Sequence, residues 1–547
     1  MIKKIFHSKT KTVSFAALIL AISTITSRFL GILRNNFLGN IFPPSQVDVY
    51  LASFRIPDLV YGILITGGIT AAFLPVFSSY FKENEEEAKK LTQNVFFTFV
   101  LGLSLLSLVM LIFSSSIVNL AFPGFSMLQK SQATALMRVM LLSPIILGAS
   151  AIVSSVLQYF NFFLAYSLAP IFYNLGIICG ILFFSKRFGL LGLAFGVVAG
   201  AVAHLLIQLP SFFKAGFNLR PYFNLKSKGL FKIFSMTAPR AIGSAGYYLN
   251  LLIVTGLASL LPSGSILAFN FANDIYGVPM GLIGISFAIA VFPQLSKYFA
   301  QKEEMEFLKS FKKTFSDILF FALPLSILIF LLRAQIVRLL YGTRLIGAGY
   351  FSWDLTRLTA ASVGILCFSI FASCLIPFLS RVFYSLKNTK TPVIISLLCI
   401  AFNLGLSFWL IKVLQEENFF TQFLISFLKL QNLKSVAVLA LPMALTVSTI
   451  LQALLLYLFL KTKIKSLKIS LVLPKWFRLL VANLLMGIVL FFSLRFFNLF
   501  LNTNKVLGLF FQVGLSSFLS FVVYFVLGWA FKCFKPSRVL TCFKTHF

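Results

Sequence analysis

Two arginines lie inside the first long apolar run of this chain, in Ser27-Arg28-Phe29-Leu30-Gly31-Ile32-Leu33-Arg34-Asn35. As a helix, residues 13–39 measure about 40 Å, long enough to cross a bilayer. Thr24, Ser27, Arg28, Gly31, Arg34 and Asn35 follow helical spacing and form one polar stripe. Leu18, Ile19, Ile22, Ile25, Phe29 and Ile32 fill the other faces. A guanidinium near the bilayer centre is held there at a penalty of a few kcal/mol unless it meets water or a partner. Arginine can also snorkel to an interface, and Arg34, near the far end, fits either position. Arg28 fits the interior. The chemistry these two residues suggest is anion binding in a water-filled, cationic cavity.

Other polar groups interrupt later apolar runs. Asn270, Asn273, Asp274, Gly277, Gly281 and Gly284 share one helix face. Close helix packing explains Gly281 and Gly284, but packing does not require the acid Asp274 or its neighbour Asn273. Thr237, Arg240, Ser244 and Tyr247 share another face. Asp48, Arg55 and Asp58 flank Pro57, and Asp48 and Arg55, seven residues apart, suit either an ion pair or substrate contact. No GxxxxGK[ST] loop, HExxH or Ser/His/Asp arrangement occurs, so no enzyme chemistry is expected. Work must then draw on a gradient, the membrane potential or the substrate's own concentration difference. Cys179, Cys367, Cys374 and Cys399 in apolar runs, and Cys533 and Cys542 in the tail, form no metal-binding spacing. His7, His204 and His546 are solitary, and His204 reads as a packed helix residue.

The elements that must hold these groups are transmembrane helices. The chain has 547 residues, 59% of them hydrophobic, with a mean hydropathy of +0.95. Fourteen candidate spans lie near 13–39, 48–80, 91–120, 133–162, 166–185, 188–213, 230–261, 264–296, 310–341, 357–386, 391–413, 434–462, 474–500 and 505–531. The absence of short alternating strands argues against a transmembrane barrel. The net charge of +33 sits on dispersed loop lysines. It suits anionic lipid headgroups rather than nucleic acid. Lys3, Lys4, Lys9 and Lys11 precede an apolar run too long for a signal peptide, which reads as an uncleaved first span. With the N-terminus cytoplasmic, Lys214, Arg220, Lys226, Lys297, Lys309, Lys387 and Lys461 all fall inside, as do Lys532 and Lys535. That obeys the positive-inside rule and places both termini in the cytoplasm.

The chain also repeats. Phe73-Leu74-Pro75-Val76-Phe77-Ser78-Ser79-Tyr80-Phe81 ends the second span, and Phe292-Pro293-Gln294-Leu295-Ser296-Lys297-Tyr298-Phe299 ends the eighth. Ala169-Pro170 opens the fifth span and Thr391-Pro392 the eleventh. An offset of six spans relates two parallel halves by an axis along the membrane normal, with a substrate site between them. The expected fold is therefore an all-α polytopic membrane protein of about 14 transmembrane helices. It comprises two six-helix lobes, 1–215 and 216–465, related by a pseudo-two-fold, plus two C-terminal helices and a tail in 466–547.

Several stretches resemble the MurJ-type lipid II flippases of the multidrug/oligosaccharidyl-lipid/polysaccharide (MOP) exporter superfamily. They are Ser27-Arg28-x-Leu30-Gly31-x-x-Arg34, Asp48, Phe54-Arg55-Ile56-Pro57-Asp58-Leu59 and Ala72-Phe73-Leu74-Pro75. Pro279-x-Gly281-x-x-Gly284, Phe292-Pro293-x-Leu295-Ser296, Phe383-Tyr384-Ser385 and Lys390-Thr391-Pro392 continue the series. The resemblance implies two lobes in a V around a cationic cavity, two extra helices forming a lipid-facing groove, and a place in the bacterial inner membrane. It implies export of undecaprenyl-pyrophosphate-linked peptidoglycan precursor, with Arg28 and Arg34 on the pyrophosphate and cell-wall synthesis enzymes as partners. Ser27, Asp48, Arg55, Arg240, Asn270, Asn273 and Asp274 complete the expected substrate site. No cofactor is expected, and sodium or the membrane potential is the expected driving force; Asn403 is the candidate ion ligand, without acids beside it. The chain departs from the family pattern at Tyr61-Gly62 and Asp274, where arginines are expected, and at Asn35, where an acid is. Three other readings remain: a sister exporter of another polyprenyl-linked oligosaccharide, a drug or cation antiporter, and a membrane scaffold for cell-wall enzymes.

Overall fold

Apolar runs this long leave the backbone only one way to satisfy its own N–H and C=O groups in lipid, and the chain takes it. A computed structural model describes residues 13–63, 69–433, 435–464, 473–503 and 505–531, and every regular element among them is helical. Lys3, Lys4, Lys9, Lys11, His7, Cys533, Cys542, His546 and the rest of the tail from 532 lie outside the described residues. Contacts divide the chain into one unit of Met1–Leu267 with Arg344–Tyr350, and a second of Ala268–Thr343 with Phe351–Phe547.

The first unit holds α1 (Val13–Ile41), α2 (Pro44–Tyr61), α3 (Thr70–Glu83), α4 (Glu85–Ile112), α5 (Ser114–Ala121) and α6 (Met127–Met140). It continues with α7 (Leu142–Tyr159), α8 (Phe163–Cys179), α9 (Leu191–Leu206), α10 (Leu209–Lys214) and α11 (Lys228–Ser259). The lobe boundary expected at 215/216 follows the sequence repeat; by contact, α11 sides with the first unit, where it packs on α2, α3 and α4. The aromatic motif at the end of the second expected span gains a physical role here. Phe73, Phe77 and Phe81 stand one turn apart, with ring centroids 5.3 and 5.7 Å from one another, and Tyr159 and Phe160 close around Phe77 and Phe81. His204 is held in a polar knot between α7 and α9. Its Nδ1 lies 2.7 Å from Ser150 Oγ, and Gln208 Nε2 donates to Ser150 Oγ while its Oε1 accepts from Ser154.

Glycines set the α8–α9 contact. A Cβ on Gly176 would lie 2.2 Å from Gly200 Cα, and one on Gly196 would lie 2.5 Å from Gly180 Cα. Two backbones this close have no room for a side chain, which is how helices associate where lipid removes the hydrophobic drive. Gly196→Val is therefore expected to lower stability by about 3 kcal/mol, at the upper end of overpacking penalties. Gly102→Ala, where a Cβ meets nothing within 4 Å, is expected to leave it unchanged. Thermal unfolding of the two purified variants in detergent makes the comparison.

The second unit takes α12 (Ser265–Pro279) from Ala268 onward, its first residues belonging to the first unit. It holds α13 (Ser286–Ala300), α14 (Glu304–Val337), α15 (Trp353–Cys367), α16 (Ile370–Ser385) and α17 (Lys390–Gln415). It ends with α18 (Phe419–Phe427), α19 (Ala440–Lys463), α20 (Leu473–Phe500) and α21 (Val506–Ala530). The eighth expected span is continuous, with a π-helical stretch, Met280–Ile285, joining α12 to α13; in the second, α2 and α3 flank residues outside the described set. Pro75 lies inside α3 and Pro293 inside α13. Gly284 lies against α16, where a Cβ would come 2.7 Å from the Cys374 carbonyl, while Gly277 faces open space. The last two helices pack on each other and on α14 through Phe320, Leu479, Met486 and Tyr524, whose hydroxyl donates to the Phe320 carbonyl at 2.7 Å.

Ten helices among the described residues are long and apolar enough to cross a membrane, or eleven if α15 and α16, bent by 50°, form one span. The three other expected spans correspond to α1, to α2 with α3, and to α11, so fourteen is compatible with this set. The chain is a multi-pass, all-helical membrane protein.

Candidate functional site

The polar stripe of α1 divides into two sets in the folded chain. Ser23, Ser27, Gly31 and Arg34 face α8. Ser23 Oγ donates to Ser167 Oγ at 3.1 Å, and Asn174 Nδ2 donates to Ser27 Oγ and to the Ser27 carbonyl. Arg34 Nη1 donates to Asn174 Oδ1 at 3.4 Å and its Nε to Asn35 Oδ1 at 3.1 Å. Thr24 and Arg28, on the adjoining face, are exposed. Arg28 makes no hydrogen bond or ion pair among the described residues. One arginine is thus oriented by the protein and the other is left open.

Around Arg34 the first unit gathers more ionisable groups. Asp58 on α2 lies within electrostatic reach of Arg55 first and Arg34 second, and Tyr50 and Tyr173 share the field of Arg34 and Asp58. Arg55 Nε donates to Thr255 Oγ1 at 3.1 Å, linking α2 to α11. Seven residues on, just past the end of α2, Gly62 carries the ring of Tyr248, whose carbons lie about where its Cβ would stand, at 2.0 Å. The two contacts run in antiparallel register along α2 and α11.

Asp48 does not pair with Arg55. It is 4% exposed, and its Oδ2 accepts from Gly264 N at 2.6 Å and its Oδ1 from Leu267 N at 2.8 Å. Both oxygens therefore hold the start of α12, where Gly264, at φ 93°, adopts a backbone conformation that favours glycine. The seven-residue spacing that suggested an ion pair reflects only a shared helix face. Arg240 lies within α11, and its side chain is outside the described residues. Asn270, Asn273 and Asp274 belong to the second unit; Asn270 is buried, Asn273 half-buried and Asp274 exposed. Asn403 on α17 is 2% exposed, with Ser407 fully buried one turn on. Those two offer uncharged oxygens, and no group of three His, Cys, Asp or Glu among the described residues is placed to hold a metal ion.

Asn174, Tyr50 and Tyr173 were not singled out from the sequence. Asn174 carried a signal, an amide in the middle of an apolar span, where polar side chains are rare and usually paired. The tyrosines carried none, since a tyrosine in a membrane helix is ordinarily packing.

Solved structures identify the architecture. A lipid II flippase MurJ in an inward closed conformation matches with a TM-score of 0.71 over 94% of this chain and 98% of that one, at 22% identity. An inward-facing multidrug resistance MATE family transporter of the MOP superfamily matches at 0.63, over 83% and 99%, at 12% identity. The fold is thus that of the helical transporters of the MOP superfamily.

Sequence comparison narrows this. The family model described as Lipid II flippase MurJ matches residues 41–511. A probable lipid II flippase MurJ of Buchnera aphidicola subsp. Acyrthosiphon pisum is 28% identical over 404 residues, covering 73% of this chain and 78% of that protein. Those of Rhizobium tropici and Borreliella burgdorferi are 27% and 26% identical, over 72% of this chain and 75% and 76% of theirs. The chain belongs to the MurJ family of lipid II flippases.

Proposed function

We propose that this chain turns lipid II from the inner to the outer leaflet of the bacterial cytoplasmic membrane by alternating access through a cationic cavity. The observation that carries the reading is Arg28, an exposed guanidinium with no bonded partner among the described residues, on a helix that also holds Arg34. A pyrophosphate supplies what such a pair lacks. Guanidinium forks bind phosphoryl oxygens bidentately, and Asn174 and Asn35 hold the Arg34 fork in place. Arg55 adds positive charge, and Asp58 reduces the field without reversing it. The polyprenyl tail stays in lipid, beside the apolar outer faces of α20 and α21. Both termini are cytoplasmic in this reading, and anionic lipids meet the loop lysines. A negative-inside potential draws the emptied cationic site inward, at about 2.3 kcal/mol per charge per 100 mV. No step is assigned to sodium.

Vesicles containing the purified chain and fluorescent lipid II test the proposal. The expected result is lipid II reaching the opposite leaflet faster than in protein-free vesicles, with transport slowed by an excess of soluble pyrophosphate. Equal rates with and without the protein, under an imposed potential of either sign, would overturn it. Transport of a neutral polyprenyl glycolipid as fast as lipid II would favour a less selective exporter.

A further inference from the structure

Between α17 and α19 the chain forms a nine-residue helix that the transport reading does not use. In α18, Phe419, Phe423 and Phe427 lie one turn apart along one line, 87%, 51% and 60% exposed, with Phe420 beside them at 38%. The rings of Phe423 and Phe427 stack at 5.7 Å. The opposite face is buried through Thr421 and Leu424, and Gln422 and Ser426 border the aromatic strip with polar groups. So much exposed aromatic surface on so short a helix needs an apolar neighbour.

We propose that α18 is an interfacial helix that lies in the plane of the membrane, its phenylalanines inserted at the boundary between headgroups and acyl chains. The level at which it is fastened identifies the lipid as occupant. Asn418 Nδ2 donates to the Val413 carbonyl at 2.6 Å and Thr421 Oγ1 to the same oxygen at 3.3 Å. The helix start is thus tied back beside the last turns of α17. Those turns carry exposed Phe408 and Trp409, with Lys412 Nζ 4.6 Å from the centre of the Phe408 ring. Exposed tryptophan with lysine at the end of a span marks headgroup depth. At the other end Arg357 on α15 donates to the carbonyls of Lys429 and Gln431. The short link from Gln415 to Phe419 cannot carry the strip away from the bilayer, since an extended residue spans at most about 3.6 Å. Amphipathic segments in such positions bury their apolar face in the interface. Bonded to α17 at one end and to α15 at the other, α18 would fix the level of both helices against one leaflet. In the orientation proposed above, that is the outer leaflet.

Nitroxide labels on the full-length chain in phosphatidylethanolamine–phosphatidylglycerol vesicles test this, one site at a time, in a background with the native cysteines replaced. At Phe419→Cys, Phe423→Cys and Phe427→Cys, relaxation by dissolved oxygen is expected to exceed relaxation by a water-soluble nickel chelate. At Glu417→Cys the order is expected to reverse. Nickel dominating at Phe423→Cys would place the strip in water and overturn the proposal. An immobilised label that neither reagent reaches would show a protein partner or second copy seated there, and would overturn it equally. Because each site is read alone, a variant that fails to insert is replaced by its neighbour on the same strip.

Discussion

Arg28→Ala is expected to slow lipid II transport by roughly 10- to 100-fold, the loss of one charge-assisted hydrogen-bonding partner worth about 1.5–3 kcal/mol. Its unfolding temperature should stay that of the parent chain, because Arg28 is exposed and bonds to nothing among the described residues. Arg34→Ala should slow transport as much and also lower stability, since Asn35 and Asn174 each lose a donor. Arg34→Lys keeps the charge, but a single ammonium cannot reproduce the fork that spans two amide oxygens, so an intermediate rate is expected. Asn174→Ala separates the two roles of Arg34. It removes the brace and leaves the guanidinium, so transport should fall less than in Arg34→Ala. These rates, measured as fluorescent lipid II reaching the far leaflet, bear directly on the cationic site. A fully active Arg28→Ala would remove its basis, and an Asn174→Ala as slow as Arg34→Ala would recast Arg34 as a structural residue.

How far the sequence revealed this follows from the range of each interaction. Arg28 and Arg34 were legible because a charge in an apolar span is conspicuous whatever surrounds it. Helical spacing correctly put Ser27, Gly31 and Arg34 on one face. It could not reveal that the face meets Asn174, some 140 residues away, and so the stripe read as wholly cavity-lining. Of the two motif pairs that suggested a repeat, Pro75 and Pro293 both lie inside helices, α3 and α13, whereas Pro170 lies deep inside α8 and Pro392 in the first turn of α17, so local sequence matches do not fix equivalent positions. The Gly176–Gly200 contact is a matter of two backbones meeting, and only the glycine spacing hints at it. Helix α18 is shorter than a span and falls between the expected spans 391–413 and 434–462.

Asp48 shows the same limit most sharply, and its replacement should have the second large effect. Each oxygen accepts one buried N–H, and removing an acceptor strands a donor at about 1–3 kcal/mol. Asp48→Ala strands both and should destabilise the chain by several kcal/mol. Asp48→Asn keeps the shape and one acceptor but turns an amide N–H₂ towards the other donor, so it should recover part of the loss and no more. Transport should fall with stability, because α12 starts at this clamp. Gly264→Ala attacks the clamp from the other side. Alanine at φ 93° adds strain of roughly 1–2 kcal/mol and shifts the Gly264 N–H away from Asp48. If Asp48 serves through this clamp, the double variant should lose clearly less than the sum of the two single losses, since residues in one network couple. If it instead touches the substrate, the effects on transport should add, and Asp48→Asn should slow transport without lowering the unfolding temperature.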